Sequence, residues 1–221
     1  MIDLHTHSIF SDGALIPSEL VRRAWVKGYR AIAITDHADH ANYDFIIPRV
    51  AQVARLLAER HRMIVIPGVE ITHVHPADIS ALATEARKKG AEIIVVHGET
   101  LAEPVIAGTN RAALDSSIDV LAHPGLITDE EAQLAAERSI FLEITTRSGH
   151  SLSNGHVASM ARKHGAPLVI NTDSHSPGDL ATREEANRIA RGAGLTEEEI
   201  SRIISQTGAF IGRIFAYGSH S

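Results

Sequence analysis

Short apolar runs alternate with longer amphipathic stretches along the 221 residues. The runs cover residues 2–5, 31–35, 63–71, 92–96, 119–122, 140–144 and 168–171. They are apolar at successive positions, as strands buried on both faces must be. The stretches between them carry helical periodicity. Residues 18–28 place Leu20, Val21, Ala24 and Trp25 on one stripe and stop at Gly28. Residues 44–61 do the same with Ile47, Val50, Val53, Ala54 and Leu57. Further helices are expected over 77–89, 128–138, 154–164, 181–191 and 197–205, with a short one over 110–116. Acidic first turns, basic last turns and a trailing Gly mark their ends. Seven strands separated by helices imply parallel pairing, because each parallel pair needs a crossover. The expected fold class is α/β. Seven βα units close more naturally as a distorted (β/α)7 barrel than as an open sheet. The helices after Asn171 and the tail 209–215 are expected to pack outside the barrel or cap it.

In a barrel of this kind the C-terminal strand ends share one mouth, where sites lie. The residues at those ends are unusual. Strand one leads into His5 and His7, which share a face at i and i+2, and then Asp12. Strand two gives Thr35-Asp36-His37, and strand three Gly68-Val69-Glu70. Strand four ends in His97, and strand five in His123-Pro124. The last strand gives Asn171-Thr172-Asp173-Ser174-His175. Pro124 predicts extended geometry for His123. Paired imidazoles with nearby carboxylates suit a borderline divalent metal. One such tripeptide would be weak evidence. Nine candidate ligands on six of seven strand ends form a pattern that points to a multinuclear metal site.

Composition sharpens this. The chain has 14 histidines and no cysteine, so metal sites must use nitrogen and oxygen, and no disulfide forms. That fits a reducing cytoplasm. A net charge of -6 disfavours a nucleic-acid face. No linker or low-complexity stretch divides the chain, so residues 1–221 are expected to form one domain. Neither a signal peptide nor a bilayer-length apolar segment is evident.

The pieces His5-Thr6-His7, Ser11-Asp12-Gly13, Thr35-Asp36-His37, Gly68-Val69-Glu70, His97, His123-Pro124 and Thr172-Asp173-Ser174-His175 together resemble the PHP (polymerase and histidinol phosphatase) family. The resemblance runs from residue 2 to about 190. It implies a trinuclear centre of Zn, Mn or Fe. One ion would take His5, His7, Glu70 and Asp173. A second would take Glu70, His97 and His123, with Glu70 bridging. The third would take Asp12, His37 and His175; some members carry histidine where Asp12 stands. The implied activity is a metal-dependent phosphoesterase that uses a metal-activated hydroxide on a small phosphomonoester, as histidinol phosphatases do. Glu70, Asp173 and His37 are the residues nearest that chemistry. A 3'-5' exonuclease or nucleotide phosphatase is the alternative within the family. A non-catalytic RNA-protein scaffold barrel is the alternative of another class.

The loop after strand six is expected to hold substrate through Arg147 and His150, since strand six offers no ligand and a guanidinium fork matches phosphate. Asp36 either orients His37 or shapes a turn. Glu99, Glu103, Asn110 and Arg111 either line the pocket or form a solvated loop. His40, His61, His73, His75, His164 and His220 are expected at the surface or in structural roles, with His73 and His75 set apart because they follow Glu70 closely.

Overall fold

The computed structural model describes residues 1–218; His220 lies outside them. Among the described residues eight parallel strands are present: β1 (Ile2–Asp3), β2 (Ala31–Ile34), β3 (His37–Ala38), β4 (Ile64–Ile71), β5 (Ile93–His97), β6 (Val120–Ala122), β7 (Phe141–Thr145) and β8 (Leu168–Asn171). Seven of them run in the order β1-β2-β4-β5-β6-β7-β8, and β3 pairs separately with β4. The last strand returns to the first. His7 N–H donates to Ser174 O at 2.9 Å and Asp173 N–H to His5 O at 3.0 Å, which nearly closes the barrel.

The expected sevenfold pattern is therefore present, with one addition. β3 exists because β4 is long enough to serve two neighbours in turn. Ile64–Pro67 pair with β2, and Glu70 and Ile71 pair with His37 and Ala38. That register sets His37 directly opposite Glu70.

Apolar side chains fill three regions. Leu4, Ala33, Ile66, Val95, Val120, Phe141 and Val169 occupy the barrel interior. Two further clusters lie between the strands and the surrounding helices. The helices are α1 (Pro17–Val26), α2 (Tyr43–His61), α3 (Ile79–Lys88), α4 (Thr109–Leu114), α5 (Asp129–Arg138), α6 (Asn154–His164), α7 (Arg183–Gly192) and α8 (Glu197–Gly218). Thr128 with Glu131, and Thr182 with Glu185, form reciprocal capping boxes that start α5 and α7.

Two expectations change. Trp25 does not join the buried stripe of α1; it is 44% exposed, with the Arg22 guanidinium 4.6 Å from its ring. Leu20, Val21 and Ala24 already fill that face. The tail beyond residue 205 is not a separate piece either. It continues α8, whose Ile211 enters the barrel interior cluster while Phe210 packs edge-on against Phe141. α8 thus closes the end of the barrel opposite the mouth. Among the described residues no helix is long and apolar enough to cross a membrane.

Candidate metal centre

The mouth is built one strand end at a time. β1 runs into His5 and His7, both fully buried. His5 Nδ1 donates to Glu143 Oε1 at 2.8 Å, so its Nε2 turns a lone pair to the mouth. That nitrogen lies 3.3 Å from Glu70 Oε1 and 3.7 Å from Asp173 Oδ1. His7 Nε2 lies 3.2 Å from Asp173 Oδ1 and 3.7 Å from Glu70 Oε2. His123 Nε2 is 3.7 Å from both carboxylates. Glu70 stands at the centre, with no exposed surface.

A second group lies towards solvent. The Nε2 atoms of His37 and His175 are 3.4 Å apart, and they face Asp12 Oδ1 at 3.5 and 3.2 Å. His37 is held from behind by Thr72 Oγ1 at 2.7 Å and Glu70 Oε2 at 2.6 Å on its Nδ1. The loop carrying Asp12 is fixed by Asp36, which accepts from Ser8 N, Ser8 Oγ, Ser11 N and Ser11 Oγ at 2.7–3.2 Å. Of its two open roles, Asp36 therefore fills the turn-shaping one; the imidazole of His37 is oriented by Thr72 and Glu70. Gly13 is demanded here, because a Cβ would sit 2.5 Å from His7 O.

A third group is His97, His123 and His150, whose ring nitrogens can converge on one point. The resemblance grouped His97 and His123 with Glu70. The structure brings Glu70 to His123, while His150 joins the two imidazoles and stacks on His123 with centroids 4.3 Å apart. Gly149, at φ 87°, makes the turn that carries His150 inward.

His123 has φ 28°, not the extended geometry expected before Pro124. β6 ends at Ala122, and His123 N–H is captured by Glu143 Oε2 at 3.1 Å, which overrides the proline preference. Asp173 (φ 51°) and His73 (φ 54°) share this left-handed backbone. Such residues cost about 1–3 kcal/mol each and gather where function demands them.

The donor set passes a test of fit for metal ions. Buried His5 Nε2, His7 Nδ1 and Nε2, Glu70 Oε1 and His123 Nδ1 have no hydrogen-bond partner among the described residues. Leaving such atoms unpaired costs about 1–3 kcal/mol each. The 3.2–3.7 Å separations between nitrogen and carboxylate oxygen are close to the roughly 3.3–3.6 Å edge of a tetrahedron of ligands about 2.0–2.2 Å from one ion. Burial, with the His37 and His97 rings close by, pushes His7 and His123 well below the usual imidazole range, into the neutral form that ligates. Burial also raises Asp173, helped by Glu70 and Glu143. A cation between these carboxylates would remove that conflict. Imidazole with carboxylate suits zinc, manganese or iron.

A family model described as the PHP domain matches residues 3–139. The chain belongs to the PHP domain family. An uncharacterized protein of Methanocaldococcus jannaschii, MJ1295, is 49% identical over 91% of this chain and 94% of its own length. Ribonuclease P protein component 3 of Methanosarcina mazei is 27% identical over 89% of this chain and 82% of its own. Histidinol phosphate phosphatase from Lactococcus lactis, solved with zinc, L-histidinol and phosphate, superposes with a TM-score of 0.64 at 17% identity, covering 88% of this chain and 94% of that chain. At that identity the likeness shows the fold alone.

Other candidates separate clearly. Arg147 reaches the mouth, with Nη1 3.0 Å from Asp173 O and 2.6 Å from His175 Nδ1. Glu99 and Asn110 fasten the loop after β5 instead of lining the pocket. Glu99 Oε1 accepts from Gly108 N and Asn110 N, and Asn110 Nδ2 donates to Pro124 O. Arg111 points away and pairs with Asp115. Glu103 faces the mouth. His40 is exposed; His61 lies beside Trp25, His75 caps a short 3-10 turn, and His164 pairs with Asp129. His73 is exposed, at the surface as expected, and its ring lies 5.2 Å from that of His97.

Sequence reasoning missed Glu143, Thr72 and Asp3. Glu143 is fully buried mid-strand in Phe-Leu-Glu-Ile-Thr. A charge inside an otherwise apolar strand was the available signal, because Glu is almost never fully buried without a partner.

Proposed function

We propose that this PHP domain is a metal-dependent phosphoesterase, a hydrolase of small phosphomonoesters. The observation that carries the reading is the set of buried, unpartnered donors around Glu70, opening on the same mouth as Arg147. His5, His7, Glu70 and Asp173 would hold one divalent ion, His97 and His123 with Glu70 a second, and Asp12, His37 and His175 a third. Bound ions would supply Lewis acidity and lower the pKa of water.

The chain's own residues do the rest. Glu143 fixes the tautomer of His5. Thr72 and Glu70 fix the ring of His37. Asp36 anchors the loop that presents Asp12. Arg147 offers a planar pair of donors at the rim, suited to phosphate oxygens. The mouth is lined by Asp12, His37, His97, Glu103, Arg147, His150, Asp173 and His175. The chain's net charge of -6 favours a small ester over a polynucleotide.

The ribonuclease P relative raises a second reading, a non-catalytic scaffold in an RNA-protein assembly. A scaffold has no need of buried unpaired imidazoles, so the donor set favours catalysis. The test is protein supplied with zinc, manganese or iron, assayed against a panel of phosphomonoesters that includes histidinol phosphate, and against a labelled oligonucleotide. Turnover of a monoester is expected. Metal-loaded protein inert towards every ester would overturn the reading, and cleavage of the oligonucleotide alone would replace it with a nuclease.

A further inference from the structure

We infer that His73 and Glu103 are metal ligands of this chain, completing the coordination of the ion that His97 holds. The inference rests on the metal-dependent reading of the mouth. Neither residue belongs to the nine that the family motifs supply.

The loop between β5 and α4 is pinned at several points. Glu99 and Asn110 clasp its two ends. Thr100 Oγ1 lies 2.7 Å from His150 Nδ1, and Val105 N–H donates to Glu103 O at 3.0 Å. Gly98 is required, since a Cβ there would meet Ala122 O at 2.4 Å. Glu103 lies in this loop with its side chain 39% exposed. Its Oε2 lies 3.2 Å from His97 Nε2 and 3.3 Å from His73 Nε2, and its Oε1 lies 3.5 Å from His150 Nε2.

Tautomer logic makes the first contact informative. His97 Nδ1 lies 3.2 Å from Gly98 O. A carbonyl can only accept, so that nitrogen carries the hydrogen. The neutral ring then aims the Nε2 lone pair at a carboxylate oxygen. Two acceptors facing each other at 3.2 Å repel unless a cation lies between them. The separations of 3.2 and 3.3 Å fit neighbouring ligands of one ion, about 2.8–3.8 Å apart for four- or five-fold coordination at metal–ligand distances of about 2.0–2.2 Å. One ligand atom each from His73, His97 and Glu103 falls within 4.8 Å of the others. His73 reaches this point from a left-handed backbone, with φ 54°.

His73 and Glu103 sit on two different loops, and that allows a clean test. Wild type, His73→Ala, Glu103→Ala and the double variant are loaded with zinc and titrated with a competing chelator. Metal content is read by elemental analysis, fold by circular dichroism, and the cobalt-substituted forms by absorption. Both single variants should weaken the same one ion by at least tenfold while the others hold, since even residues that only support a ligand cost about 10–100-fold. The cobalt bands of that ion should change, and Arg111→Ala should match wild type. Unchanged affinities in both variants, or losses at two different ions, would overturn the inference and leave the metal-dependent reading intact. Wild-type protein that takes up no ion would overturn both.

Discussion

His5 and Glu143, 138 residues apart and both fully buried, share a 2.8 Å hydrogen bond that fixes which nitrogen of His5 faces the mouth. The same carboxylate accepts from His123 N and Asn171 Nδ2, so one side chain of β7 braces the ends of β1, β6 and β8. Glu143→Gln places an amide where a carboxylate receives the His5 proton. We expect metal affinity to fall roughly 10–100-fold, the usual effect of losing a residue that orients a ligand. Chelator competition measures it. Equal affinity in the variant would show that His5 is held well enough by packing.

Glu70→Gln should abolish phosphatase activity more completely than Asp12→Ala. Glu70 is fully buried and reaches His5, His7, His37 and His123 within 3.7 Å, whereas Asp12 is 57% exposed and reaches only His37 and His175. Burial opposes the Glu70 charge, but in the metal-free protein the His5 and His37 rings, whose own pKa values are raised, outweigh it and hold the Glu70 pKa well below the carboxylate range. The substitution removes a charge that at least two ions would share. Turnover should drop by three or more powers of ten for Glu70→Gln and by about ten- to a hundredfold for Asp12→Ala, at about 1.4 kcal/mol per tenfold. The reverse order would require a different division of ligands.

The barrel and the mouth were legible because both depend on local sequence features. Apolar runs mark strands, and the residues just past each run in a barrel must sit at one end. The partners behind the imidazoles were harder to read. Glu143 and Asp3 lie inside strands, and whether a strand residue faces the interior or the helices depends on a register that only closure defines. His73 was marked only by following Glu70 closely. Its approach to His97 comes with a left-handed backbone at a non-glycine residue, which the sequence does not announce. α8 runs past its expected end although its last turns carry Gly208 and Gly212, which weaken helical propensity. Docking of Ile211 in the barrel offsets that cost.

Asp3 gives the chain a pH dependence. It is fully buried, and burial raises its pKa from 3.8 to about 6 despite hydrogen bonds from Thr172 Oγ1, Thr172 N and His5 N. The folded state thus holds its proton more tightly than the unfolded chain. Asp3 contributes most below pH 3.8, and that contribution is lost as pH rises through about 6. The rise corresponds to roughly 3 kcal/mol. Asp3→Asn stays neutral and should therefore gain stability relative to wild type between about pH 4 and 7, with the difference levelling off above. Denaturant unfolding of chelated protein at several pH values tests this. A difference that does not change with pH would place the Asp3 ionisation in its ordinary range.

Arg147 is where phosphate recognition and bracing of the site must be told apart. Its guanidinium donates to Asp173 O at 3.0 Å, and its Nε lies 3.6 Å from Asp173 Oδ2. The side chain is 29% exposed, so part of it remains open to the mouth. Bracing alone predicts that Arg147→Ala loses metal, because Asp173 and His175 are then less well held. Phosphate binding predicts a different signature. At saturating metal, kcat/KM should fall by roughly tenfold or more, the worth of one charged hydrogen bond of about 1.5–3 kcal/mol. Inhibition by inorganic phosphate should weaken by a similar factor. Arg147→Lys should restore the charge without the planar fork and recover only part of either loss. We expect the phosphate signature, because the exposed part of the side chain opens on the mouth. A variant with full metal content, unchanged kcat/KM and unchanged phosphate inhibition would assign Arg147 to neither role.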